Sequence, residues 1–135
     1  MLLAIFQNAN IANLGDATGL RGSTVAGSVY FSLHTADPGE AGTQVTSEIT
    51  YTSYARVAVA RTSGGFTVAT NTVAPVAAVT FPAGTGGTGT ATFWGVGLAA
   101  SGAGNLLYSG TITPSIVCGN GITPSLAIGT IITED

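Results

Sequence analysis

Any catalysis by this chain would have to pass through His34, its only imidazole. His34 sits in GSVYFSLHTADPGE, residues 27–40, with Ser32 before it and Asp37 and Glu40 after it. Serine, histidine and a carboxylate are the parts of a nucleophilic triad, in which the imidazole takes the hydroxyl proton and the acid fixes the ring. The spacing argues against one. Ser32 and His34 share a strand face but lie a full pleat apart, too far for an ordinary hydrogen bond without special geometry. No G-x-S-x-G elbow occurs. Zinc normally recruits several nitrogen or sulfur ligands, and one histidine with one cysteine, Cys118, does not supply them. Asp37, Glu40 and Glu48 could be paired as glycosidase carboxylates, but all three fall in or beside one loop, where acids are ordinarily just solvated. GTGGTG at 84–89 has the glycines of a phosphate loop without the Gly-Lys-Ser/Thr ending. The expectation is no catalytic residue, no metal and no cofactor. His34 is expected to be a polar strand-end residue whose ring bonds to the following turn. Cys118, after Ile116 and Val117, is expected to be a small buried hydrophobe.

The elements that must position these residues are short strands. Val29, Phe31 and Leu33 alternate with Tyr30, Ser32 and His34 at the two-residue repeat of a half-buried strand over 28–35. Ala36-Asp37-Pro38-Gly39 is turn chemistry: proline presets φ, glycine supplies φ > 0, and the aspartate oxygen caps the backbone ahead of it. A long loop over 36–47 follows, then a strand over 54–61 with Ser63-Gly64-Gly65 turning it into a hairpin partner at 66–69. Further strands are expected over 76–81, 90–98, 105–109, 111–118 and 125–133. Ala91, Gly95 and Gly97 beside Phe93 imply a close approach by another backbone or ring. Residues 2–13 carry a near-helical stripe with Gly15 as its stop, and the glycine-rich 15–26 reads as a flexible link. Two regions result: an N-terminal helix or arm with its link over 1–26, and a β domain over 27–135. The fold class is all-β, an antiparallel jelly-roll-like β-sandwich of about eight strands.

Composition bears on partners. Charged residues make up 7% of the chain, there is no lysine, and the net charge is −3, against about 25% charged in an ordinary soluble domain. A surface that bland is expected to be covered by copies of the chain or by a larger assembly. Nucleic-acid binding needs several phosphate-neutralising cations, so none is expected. The first residues lack a basic flank, a cleavage pattern and a span near 20 apolar residues, so neither a signal peptide nor a membrane anchor is expected.

The runs SLHTADPGEAG, YTSYARVAVART, GNLLYSGTIT, NGITPSLAIGTI and the terminal TED resemble a family of small tailed-bacteriophage virion proteins, with members labelled tail-fibre-like. Some are similar to capsid cement, or decoration, proteins with a jelly-roll sandwich. The resemblance covers nearly the whole chain. It implies a virion structural protein made in the bacterial cytoplasm and bound to the capsid exterior. There it would bridge neighbouring copies of the major capsid protein as a homodimer or homotrimer. A tail-fibre or glycan-binding module, with a shallow groove lined by Trp94 or tyrosines, is the alternative. The expected contact residues are Leu3, Ile5, Phe6, Arg21, Asp37, Glu40, Tyr54, Arg56, Arg61 and Trp94, since Tyr, Trp and Arg most often carry interface energy. Arg56 and Arg61 are expected to have acidic partners.

Overall fold

The computed structural model describes residues 1–10, 22 and 24–134. Most of the glycine-rich link, the expected stop at Gly15 and Arg21 lie outside the described residues. The described part is a short helix, α1 (Leu2–Gln7), followed by nine strands: β1 (Ser28–His34), β2 (Val57–Ala60), β3 (Phe66–Ala69), β4 (Thr72–Pro75), β5 (Val79–Thr80), β6 (Thr88–Gly97), β7 (Leu106–Gly119), β8 (Ser125–Leu126) and β9 (Ile132–Thr133). The β1–β6, β3–β4, β4–β9, β5–β8 and β6–β7 pairings are antiparallel. The all-β antiparallel class with a short N-terminal helix is therefore as expected and consistent with a β-sandwich. Among the described residues no helix is long and apolar enough to cross a membrane.

Packing divides the chain into two units, Met1–Val29 with Val59–Ala78 and Ala127–Asp135, and Tyr30–Ala58 with Val79–Leu126. In the first unit, β3, β4 and β9 form a three-stranded sheet with β4 in the middle. α1 ends earlier than its stripe implies because Asn8 takes the left-handed conformation at φ 53°, which asparagine tolerates better than most residues. The Ala9 N–H then turns back to the Leu3 carbonyl at 3.1 Å. Leu2 and Phe6, four residues apart, form the buried side of α1. The Phe6 ring meets Phe66 edge-on, with centroids 4.9 Å apart. The Gln7 amide donates to the Phe66 carbonyl at 2.8 Å. The partner of β3 is β4 across the turn at Thr70 and Asn71, not the 54–61 strand. Of the single strand expected over 76–81, only β5 forms, since residues 76–78 bend away after the end of β4.

The four-stranded sheet, in the order β2-β1-β6-β7, places β1 beside β6 and leaves β7 at the edge. Leu33 faces Trp94 and Phe31 faces Val96 across the ladder, while Ser32 faces Gly95 and His34 faces Phe93. Directly opposed residues share a sheet face, so one face of β1 is apolar and the other polar. Both are buried: Phe31, Ser32, Leu33 and His34 are each at most 1% exposed, where the alternation had implied one solvated face. The segments expected at 105–109 and 111–118 are one strand, β7, with an irregular middle. As β6 advances from Ala91 to Phe93, β7 advances from Ile116 to Thr111, so residues 112–115 stand out of the pairing. The expected 125–133 strand is broken into β8, which pairs with β5, and β9 of the first unit.

Candidate functional site

The polar face of β1 carries the one serine–histidine contact in the neighbourhood expected to matter. Ser32 Oγ lies 2.8 Å from His34 Nε2, and His34 Nδ1 lies 2.8 Å from the Thr46 carbonyl. The spacing rule fails here because Gly95, opposite Ser32, has no side chain. An added Cβ there would sit 2.7 Å from His34 Nε2 and 2.8 Å from Ser32 Oγ. The ring uses that space to lean back along the strand. A carbonyl can only accept, so the neutral ring carries its proton on Nδ1, and Nε2 accepts the Ser32 hydroxyl. This is the polarity of a hydrolase pair. Its outer partner, however, is a carbonyl and not a carboxylate, and both side chains are fully buried. The pair works as a tie between β1 and the 36–47 loop.

Burial lowers the His34 pKa, outweighing its bond to Thr46. Nearby Glu48 pulls the pKa up and Arg56 pushes it down. The unfolded chain, with an ordinary value near 6.5, therefore takes this proton before the folded one does. His34 leaves stability untouched at higher pH and subtracts from it as pH falls below about 6.5 towards its folded pKa. Thermal midpoints should be flat above about pH 7 and fall between about pH 6.5 and 5, before most carboxylates titrate. His34→Gln should flatten that window, and a wild-type midpoint that does not move across it would refute the assignment.

Beside this tie lies a second one. Arg56 Nε and one terminal nitrogen each donate at 2.7 Å to the two oxygens of Glu48. The guanidinium also donates to the carbonyls of Ala99 at 3.0 Å and Gly102 at 2.8 Å. Tyr54 donates its hydroxyl to Glu48 at 2.8 Å and accepts the Leu33 N–H at 3.1 Å. The Tyr54 ring stacks on Phe81. Burial raises the Tyr54 pKa well above the ordinary range, which keeps the hydroxyl protonated as a donor. Gln44, fully buried, accepts the Ala99 N–H at 2.9 Å through its side chain, while its own N–H donates to the Gly104 carbonyl at 3.0 Å. Between them, Arg56 and Gln44 hold the 98–105 loop to the 36–48 loop.

What these ties position is an open groove of about 460 Å³ between the 37–42 loop and the first residues of β7. Asp37 and Glu40 line one side, and Leu106, Leu107, Tyr108 and Ser109 the other. The Asp37 carboxylate accepts the Gly39 N–H at 2.9 Å, and Gly39 has φ +69°, as the turn chemistry implies. Two carboxylate residues, a tyrosine and two leucines are thus among the residues that line the groove. Among the described residues no group of three or more His, Cys, Asp or Glu converges to hold a metal.

The expected contact residues separate into distinct environments. Asp37 and Glu40 are exposed and come together at the groove, and Leu3 is exposed on α1. Ile5 is half-buried. Phe6 and Trp94 are buried, Phe6 against Phe66 and Trp94 near Phe31 with centroids 6.4 Å apart. Their area is spent inside the protomer, so neither is available as a contact. Tyr54 and Arg56 join each other through Glu48, the acid that answers Arg56 in place of Asp37 or Glu40. Arg61 has carbonyl partners: it donates to Ile5 at 2.6 Å, Ala4 at 2.8 Å and Ala26 at 3.3 Å, filling carbonyls that the end of a helix leaves open. The aromatic of the groove is Tyr108, which the sequence reading did not single out.

The profile of a family described as "Podophage GP4 fiber I protein gp80" matches residues 9–134. No curated protein matches the chain.

Proposed function

We propose a function from the premise that this chain belongs to the podophage GP4 fiber I protein gp80 family, matched over residues 9–134: it is a fibre-type, tail-associated virion subunit that recognises a saccharide of the host surface. The family description carries the fibre role. The groove between Asp37, Glu40 and Tyr108 supports the recognition role, because carboxylates accept sugar hydroxyls and an aromatic ring covers their apolar faces. Loops held by buried hydrogen bonds offer such a site with little ordering left to do on binding. The expected cement role on the capsid exterior, bridging the major capsid protein, has the weaker support, since the family is described by a fibre protein.

Immunogold labelling of intact particles should mark the tail region. Uniform labelling of the shell, at a copy number near that of the major capsid protein, would overturn the fibre reading. The purified chain should compete with phage for host cells. Glu40→Lys, at an exposed position, should weaken that competition by about tenfold or more, the size of one lost charge-assisted hydrogen bond.

A further inference from the structure

The glycine run at 84–89, a phosphate loop in composition only, meets a second glycine-rich segment, Gly119-Asn120-Gly121. Gly84 and Asn120 form a parallel bridge. The Gly121 N–H donates to the Gly84 carbonyl at 2.8 Å, and the Gly84 N–H donates to the Ile122 carbonyl at 2.9 Å. The Ile122 N–H closes a turn onto the Gly119 carbonyl at 3.1 Å. Gly121 has φ +75°, the left-handed conformation that a type II turn requires at its third residue. Position 84 has to be glycine, because a Cβ there would overlap the Gly119 carbonyl. The segment carrying Gly84 is itself fastened. The Thr85 N–H donates to the Thr52 carbonyl at 3.1 Å, and the Thr52 N–H donates to the Gly86 carbonyl at 2.9 Å.

Asn120 is the only asparagine of the chain that glycine follows, and it is exposed. That pair has a chemistry of its own. With no side chain on Gly121 to obstruct it, the Gly121 nitrogen can attack Asn120 Cγ. The new C–N bond closes a succinimide ring, and the bond from Cγ to the side-chain nitrogen breaks. Ammonia leaves with the proton that the Gly121 nitrogen gives up. Water then opens the ring at either carbonyl, leaving aspartate or isoaspartate. The attack needs the Gly121 nitrogen free of its proton and turned towards the side chain, and the bond to Gly84 opposes both. We propose that Asn120–Gly121 is a latent self-modification site, kept closed by Gly84 in the folded chain, whose reaction records opening of these two segments. The record is permanent. Isoaspartate adds a carbon to the main chain and so displaces the bridge to Gly84. Either product also places a negative charge where residues 82–87 and 119–122 have none. The inference is independent of what the groove binds.

The full chain, incubated at mildly alkaline pH both folded and in concentrated urea, tests it. Mass spectrometry of the peptide carrying residue 120 follows the replacement of NH by O and the appearance of isoaspartate. The unfolded chain should convert at Asn120, and the folded chain at least about tenfold more slowly, since reaction then waits on local opening. The Gly121 amide should be protected from hydrogen exchange by a comparable factor or more. Asn120→Gln should suppress the conversion in urea. Gly84→Ala should speed conversion in buffer towards the urea rate; should it not fold, amide exchange at Gly121 in the wild type decides. Equal rates for the folded and unfolded chain, a Gly121 amide that exchanges freely, or conversion in urea chiefly at another asparagine overturns the proposal.

Discussion

Replacing Arg56 with alanine is expected to destabilise the fold by about 3–5 kcal/mol, the cost of removing one partner of a buried ion pair. The Arg56 side chain is 2% exposed and that of Glu48 is 14% exposed, so the variant leaves a carboxylate in a largely dry site with the Tyr54 hydroxyl still donating to it. It also takes a donor from the part-buried carbonyl of Ala99 and from the exposed carbonyl of Gly102. Urea denaturation measures the loss, and amide exchange should rise first in the 98–105 loop, which Arg56 helps to hold. Removing both charges, with Glu48→Gln and Arg56→Met, should recover part of the stability because neither charge is then left alone. A cost under about 1 kcal/mol, the value of a solvated surface pair, would show that water reaches the site and that the loop is held otherwise.

Gly95→Ala is the second large effect. The new methyl would meet His34 Nε2 at 2.7 Å, Leu106 Cδ1 at 2.7 Å and Ser32 Oγ at 2.8 Å. These groups are packed between strands, so at least one must move, at a cost of about 1–3 kcal/mol for overpacking. The imidazole ¹⁵N shifts should change as well, since the Ser32–His34 bond occupies the space the methyl takes. An alanine variant with wild-type stability and unchanged imidazole signals would mean that the glycine is incidental. The effect would also spread outward, because Leu106 begins the groove-lining part of β7.

The legible parts of this protein were those fixed by neighbours in the chain. The alternation from Val29 to Leu33 gives β1, and Asp37-Pro38-Gly39 gives its turn. The small residues opposite β1 did signal a close approach, which proves to be an imidazole and a hydroxyl. What stayed hidden depends on pairing at a distance. Nothing local distinguishes Glu48 from Asp37 or Glu40 as the acid for Arg56. That choice is made by the loop that returns Glu48 to a bridge with His34. The β3–β4 hairpin escaped notice because its turn uses Thr70 at φ 46°, a conformation that threonine does not advertise. Arg61 was misjudged for a similar reason: on a chain with so few acids, its partners are the uncapped carbonyls of a helix more than fifty residues away in sequence. Of the aromatics expected at a groove, Trp94 or the tyrosines, Trp94 faces inward beside β1 and Tyr108 comes from β7, a choice that strand pairing makes and local sequence does not.

The irregular middle of β7 has a consequence for how one chain can meet another. A fourteen-residue border strand without a single charged side chain is the kind of main-chain template on which amyloid grows. Residues 112–115 break that template into two short runs, and Pro114 among them has no N–H to offer a newcomer. Backbone-to-backbone pairing of two chains along this edge is therefore hindered by the strand's own geometry.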